Sequence, residues 1–125
     1  GQLSWPLEGK VLNRFGQQQA KFPLSDNGWL IEAKEGSEVI AVHHGQVVFA
    51  DWLKGYGLLL IIDHGAGYLT LYGQNQSLYK EVGDKVEAGE LIANSGISGG
   101  QQISALYFSI RKNGRPQNPR QWLIR

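Results

Sequence analysis

The 125-residue chain holds three imidazoles, His43, His44 and His64, and no cysteine. Metal chemistry would therefore rest on histidine and carboxylate. A zinc hydrolase needs three protein ligands and an open position for water. His43 and His44 are neighbours at an expected strand end, where alternation sends adjacent side chains to opposite faces. They are not expected to share a metal. His64 sits between Asp63 and Gly65-Ala66-Gly67 and reads as a turn residue bonded to backbone. Asp26, Glu32, Glu35 and Glu38 read as solvated turn and edge charges rather than an acid pair. Ser95-Gly96-Ile97-Ser98-Gly99 puts Ile97 where a nucleophile elbow needs serine. The glycines that follow lack the Lys-Ser/Thr ending of a phosphate loop.

The elements that must position these groups are short. Seventeen glycines and four prolines fall between brief apolar runs, as turns do in an all-β domain. Strands are expected at residues 38–42, 46–52, 58–64, 68–72, 91–94 and 106–111. Gly45, Gly65-Ala66-Gly67 and Asn113-Gly114 are expected hairpin turns. Residues 82–90 read as a small turn-rich hairpin and residues 95–102 as a mobile loop. Residues 115–119, with two prolines, are expected to end the last strand. One helical turn is expected near residues 119–123. The continuous run of residues 58–62 predicts a strand buried on both faces. In the 68–72 strand, Leu69 and Leu71 are placed toward the core, with Tyr68, Thr70 and Tyr72 opposite. In the last strand Ala105, Tyr107 and Ser109 share one face. The two polar-aromatic faces together would floor a groove. The fold class is thus a single all-β domain of antiparallel sheets and hairpins.

Composition narrows the function classes. Hydrophobic residues make up 42% and charged residues 18%, which suits a domain with its own core. A formal charge of +1 and a pI near 8.2 argue against nucleic acid or an anionic membrane as partner. The longest apolar run is far too short to insert into a bilayer. The opening Gly1-Gln2-Leu3-Ser4-Trp5-Pro6 has no secretory pattern, which leaves a cytoplasmic protein or a mature fragment of something longer, and a start without Met favours the fragment.

Several stretches, in order, resemble the LytM domain of the lysostaphin-type zinc metallopeptidases. They are residues 28–39, 45–50, 55–57, 63–65, 71–72, 82–89 and 107–119. Active members carry His-x-Gly-x-Asp, Leu-Tyr-x-His and His-x-His segments. The first histidine, the aspartate and the last histidine bind zinc. Here the corresponding segments read Asp26-Asn27-Gly28-Trp29-Leu30, Leu71-Tyr72-Gly73-Gln74 and Ala105-Leu106-Tyr107. The resemblance therefore implies that Asp26, Leu30, Gln74, Ala105 and Tyr107 stand at the five catalytic positions. Leucine and alanine cannot coordinate zinc, and glutamine cannot shuttle a proton near neutral pH. Residues 1–125 read as one degenerate LytM domain, the C-terminal part of a longer protein. Neither cofactor nor metal is expected.

Within the family the likeness runs to murein hydrolase activators. This implies a periplasmic Gram-negative protein that stimulates zinc-dependent N-acetylmuramoyl-L-alanine amidases at septal peptidoglycan. It also implies an upstream coiled coil, outside this chain, that engages the FtsE–FtsX division complex. The expected partner surface comprises Asn27, Leu30, Tyr56, Tyr72, Tyr107 and Arg111. Phenols and a guanidinium around an apolar centre suit protein binding. A peptidoglycan-binding module and a residual zinc metallopeptidase are the rival readings.

Overall fold

The computed structural model describes residues 3–13, 27–99 and 103–124. Nine strands occur among them: β1 (Trp29–Glu32), β2 (Glu38–Ile40), β3 (Gly45–Leu53), β4 (Gly57–Gly65), β5 (Tyr68–Leu78), β6 (Lys85–Val86), β7 (Leu91–Ser95), β8 (Ala105–Lys112) and β9 (Arg115–Gln117). A 3₁₀ turn follows at Pro119–Gln121, capped by the Asn118 side chain. The strands pair antiparallel in the order β1-β8-β5-β4-β3-β6. β7 joins β2 to β5, and β9 flanks β8. Antiparallel order follows from the short glycine turns, which cannot carry a parallel crossover.

Both faces of the central strands are covered. One face forms the main core, with Leu60, Ile62, Tyr72, Leu106, Phe108 and Ile110 from β4, β5 and β8. The other carries a second cluster of Leu30, Leu59, Leu71, Ala105 and Tyr107. The 58–62 run meets its expectation, since Leu59 faces one cluster and Leu60 and Ile62 the other.

Other expectations need correction. β1 was not anticipated. Its polar end and short length gave no alternation to read, and its free edge is completed by residues 10–13. Leu12 N–H donates to Leu30 O at 2.8 Å, and Glu32 N–H to Lys10 O at 2.8 Å. The Asn13 side chain spans the same edge, accepting from Leu30 N–H (2.7 Å) and donating to Gly28 O (2.9 Å). β5 continues to Leu78 because Gln74 takes a positive φ of 64° and a bulge follows between Asn75 and Ser77. Pro116 does not end the sheet. The chain turns at Asn113-Gly114 and returns as β9, an edge strand where proline is tolerated. Gly45 makes no turn. It opens β3, and a Cβ there would stand 2.5 Å from Asp63 O. Residues 85–86 pair with β3 rather than with a strand of their own hairpin. Ser95 ends β7, and Ser98 Oγ accepts from Leu58 N–H at 3.0 Å. Residues 100–102 of the expected loop lie outside the described residues.

The face assigned to β5 was inverted. Tyr72 pairs with Phe108, Leu71 with Ser109 and Gly73 with Tyr107. Paired residues share a face, so Leu71 joins Tyr107 while Tyr68, Thr70 and Tyr72 point to the Leu106–Phe108–Ile110 side. Alternation fixes a period of two but not its phase, and a tyrosine or threonine suits either side.

Candidate functional site

Four of the five substituted positions converge on the second face, and the fifth, Asp26, lies outside the described residues. Leu30 on β1 is directly opposite Tyr107 on β8. Ala105 stands two residues before Tyr107 on the same side. Gln74 reaches this cluster from β5 because its left-handed backbone redirects the side chain, whose Nε2 donates to Ala105 O at 3.0 Å. All four are buried. The Gln74 amide nitrogen is thus engaged in holding β5 to β8.

Tyr107 fills the centre. Its ring meets Tyr56 edge to face, with centroids 5.5 Å apart. Tyr56 is placed by the β3–β4 turn, where its N–H donates to Leu53 O and its C=O accepts from Gln74 N–H at 2.7 Å. Gly57 permits that turn with φ of 72°, and its missing Cβ leaves room for Ser98. Phe49, Ile61 and Leu69 extend the apolar surface, and Leu12 and Ile103 border it.

Arg111 forms the polar edge of this surface. It lies one full strand repeat beyond Ser109 on the Tyr107 side of β8, partly exposed. Its Nε donates to Ser109 Oγ at 3.5 Å, and Ser109 Oγ donates to Asn27 O at 2.8 Å. Desolvation lowers the Arg111 pKa, but the hydroxyls of Tyr56 and Tyr107 outweigh it and hold the guanidinium above its usual value. Burial pushes the Tyr107 phenol up, and Ser109 and Arg111 oppose it only in part. The Tyr107 hydroxyl is sealed from solvent and completes no hydrogen bond of ordinary geometry. A neutral phenol is the form present near neutral pH.

These residues do not fit zinc. Two of the four described positions are hydrocarbon, the third is a committed amide and the fourth a neutral phenol. Among the described residues, no three His, Cys, Asp or Glu side chains are arranged to hold a metal ion. The histidines do meet elsewhere, contrary to the expectation that His43 and His44 diverge. Their rings are 4.2 Å apart, and His43 is 5.8 Å from His64. The chain bends at residues 42 and 43, and residue 44 precedes β3, so alternation does not govern the pair.

Of the six expected partner-surface residues, Leu30, Tyr56, Tyr107 and Arg111 lie together, and Asn27 joins them through its carbonyl. Tyr72 does not. It is fully buried in the main core on the opposite face, its hydroxyl accepting from Val42 N–H at 3.3 Å. Burial and desolvation raise its pKa to about 12. Leu59, Leu71 and Phe49 were missed as parts of the site. Leu71 would have been found with the opposite phase for β5.

Residues 25–119 match the model of peptidase family M23. The chain is 48% identical to the murein hydrolase activator EnvC of Escherichia coli (strain K12), over the whole of this chain and 30% of that protein. It is 38% identical to the murein hydrolase activator NlpD of the same organism, over 95% of this chain and 30% of that one. The chain therefore spans under a third of the length of these relatives. Lysostaphin from Staphylococcus simulans shares the fold, with a TM-score of 0.84 at 24% identity over 96% of this chain and 52% of that structure. The matched span covers most of the chain, and the fold agrees with it: the chain belongs to peptidase family M23, the LytM family.

Proposed function

We propose that this domain is a non-catalytic activator of zinc-dependent N-acetylmuramoyl-L-alanine amidases in the Gram-negative periplasm, acting in septal peptidoglycan splitting and daughter-cell separation. The observation that carries the reading is the apolar cluster of Leu30, Leu59, Leu71, Ala105 and Tyr107, three of which, Leu30, Ala105 and Tyr107, stand where the resemblance places catalytic residues. An interior of this kind cannot activate water but can back a protein contact. The names of its relatives, murein hydrolase activators, support activation of a peptidoglycan hydrolase.

The amidase binds through the surface over this cluster, where Tyr56 and Arg111 are partly exposed. A short amphipathic helix suits it, with apolar residues against the partly exposed Tyr56 ring and a carboxylate near the guanidinium. Activation requires differential affinity: the domain must prefer the open amidase to the closed one. A hundredfold rise in activity needs a preference of about 2.8 kcal/mol. Regions outside this chain engage FtsE–FtsX and bring the domain to the division site.

A dye-release assay on labelled peptidoglycan tests this with domain alone, amidase alone, and both. Release is expected only weakly from the amidase and strongly from the mixture. Release by the domain alone, together with one zinc per chain by elemental analysis, would replace this reading with that of a hydrolase. Sedimentation with sacculi but no stimulation would replace it with wall binding.

A further inference from the structure

His64, away from the groove, ends a hydrogen-bond chain that runs into the core. Its Nδ1 is 2.7 Å from His44 O, and its Nε2 is 2.7 Å from Thr70 Oγ1. Thr70 Oγ1 is 2.8 Å from the Tyr72 hydroxyl, which accepts from Val42 N–H. The carbonyl of His44 can only accept, so Nδ1 carries the proton. Neutral Nε2 must then accept from Thr70. Thr70 in turn accepts from Tyr72. Every donor and acceptor is matched in one direction only: Val42 N–H to Tyr72, Tyr72 to Thr70, Thr70 to His64.

We propose that this chain is a pH-sensitive latch, closed by neutral His64 and opened by its protonation, which ties residues 42–44 to β5. A proton on Nε2 makes it a donor facing Thr70. One hydroxyl hydrogen, of Thr70 or of Tyr72, then has no acceptor. Both side chains are buried, at 2% and 0% exposure, so water does not supply one. The charged ring has somewhere to go, because a cavity of about 240 Å³ bordered by Leu3, His43, His64, Tyr68, Ile110 and Trp122 adjoins it. Gly45 helps keep the neutral ring seated, since a Cβ there would stand 3.0 Å from His64 Nδ1.

The surrounding charges favour neutrality. Burial lowers the His64 pKa most. The hydrogen bond to His44 O opposes it, His43 and His44 lower it further, and Asp63 raises it, leaving it below the ordinary histidine value. From β6 and its following turn, Lys85 and Glu87 face the same neighbourhood with opposite signs. On β5 the facing groups, Tyr68 and Tyr72, are phenols. Opening the latch loosens β5 two residues from Gln74 and one from Gly73, which backs Tyr107. Acid thus reaches the opposite face through the strand.

Imidazole nitrogen and carbon NMR of the 125-residue domain across a pH titration tests the latch. The expected result is the Nδ1–H tautomer for neutral His64, a midpoint below that of a free histidine, and Val42 amide and Tyr72 ring signals that move with the same midpoint. Thr70→Val removes the donor to Nε2, so its midpoint is expected to rise. Tyr72→Phe keeps the ring and removes the hydroxyl that links Thr70 to Val42, whose amide should stop following His64. The Nε2–H tautomer, a midpoint at or above the free value, or a Val42 amide indifferent to His64 in the unaltered domain would overturn the proposal.

Discussion

Reversing the charge of Arg111 separates binding from folding more cleanly than any other change at the site. Arg111 is partly exposed, its hydrogen bond to Ser109 is long at 3.5 Å, and its other neighbours are the Tyr56 and Tyr107 hydroxyls. Arg111→Glu therefore removes a weak bond and some aliphatic cover over Tyr107. The structural cost is about 1 kcal/mol, with electrostatics discounted for solvent screening. In a domain of this size that lowers the melting temperature by about 4 °C. Binding suffers more. A guanidinium beside a desolvated apolar centre is the position where truncation costs about 2 kcal/mol or more. That weakens the amidase complex roughly thirtyfold. At a domain concentration equal to the unaltered Kd, occupancy falls from one half to about 3%. Calorimetric titration against purified amidase reads the affinity, and dye release reads the stimulation. Arg115→Glu, on the exposed edge strand β9, makes the same charge change elsewhere and is expected to leave both untouched. If Arg111→Glu binds and stimulates like the unaltered domain, the second face of the sheet is not the amidase site.

Tyr107→Ala is a poor probe of the same surface. It empties a fully buried position, and a loss of about 3–5 kcal/mol is expected, seen as a melting temperature lower by more than 10 °C. Tyr107→Phe removes only a buried hydroxyl that completes no hydrogen bond of ordinary geometry, so its melt is expected to match or exceed the unaltered one by scanning calorimetry. Gly57→Ala forces a side chain into φ of 72° with its Cβ 2.3 Å from Ser98 Oγ. It is expected to cost about 2 kcal/mol or more by urea titration and to displace Tyr56 from Tyr107. Stability should also depend on acid through His64. Its folded pKa lies below the unfolded value of 6.5, so between the two the unfolded chain binds the proton first. Stability from this group is full above pH 6.5, is lost as pH falls toward the folded pKa, and levels off below it. Urea midpoints of the unaltered domain and His64→Phe, compared from pH 7.5 down to about pH 5, check this; parallel curves would refute it.

The sequence carried the sheet but left its phase open, and the reason is chemical. Glycine turns and apolar runs marked five interior strands, because both signals are local. β1 escaped because its edge is completed by residues 10–13, a pairing that no neighbour in sequence announces. The altered motif singled out Leu30, Gln74, Ala105 and Tyr107 letter by letter, and strand register brings these four together on one side of the sheet. Tyr72 was misplaced because its hydroxyl suggested a wet surface. Its polar tip is instead satisfied inside, by Thr70 and the Val42 amide, at the end of a chain anchored by His64 eight residues earlier. A buried phenol and a surface phenol are spelled alike. What distinguishes them is whether a partner for the oxygen comes from another strand, and that is fixed by register. At Tyr107 the same logic runs in reverse. Register brings its hydroxyl to Arg111 and Ser109, which offset its burial only in part, and leaves it sealed from solvent without a hydrogen bond of ordinary geometry.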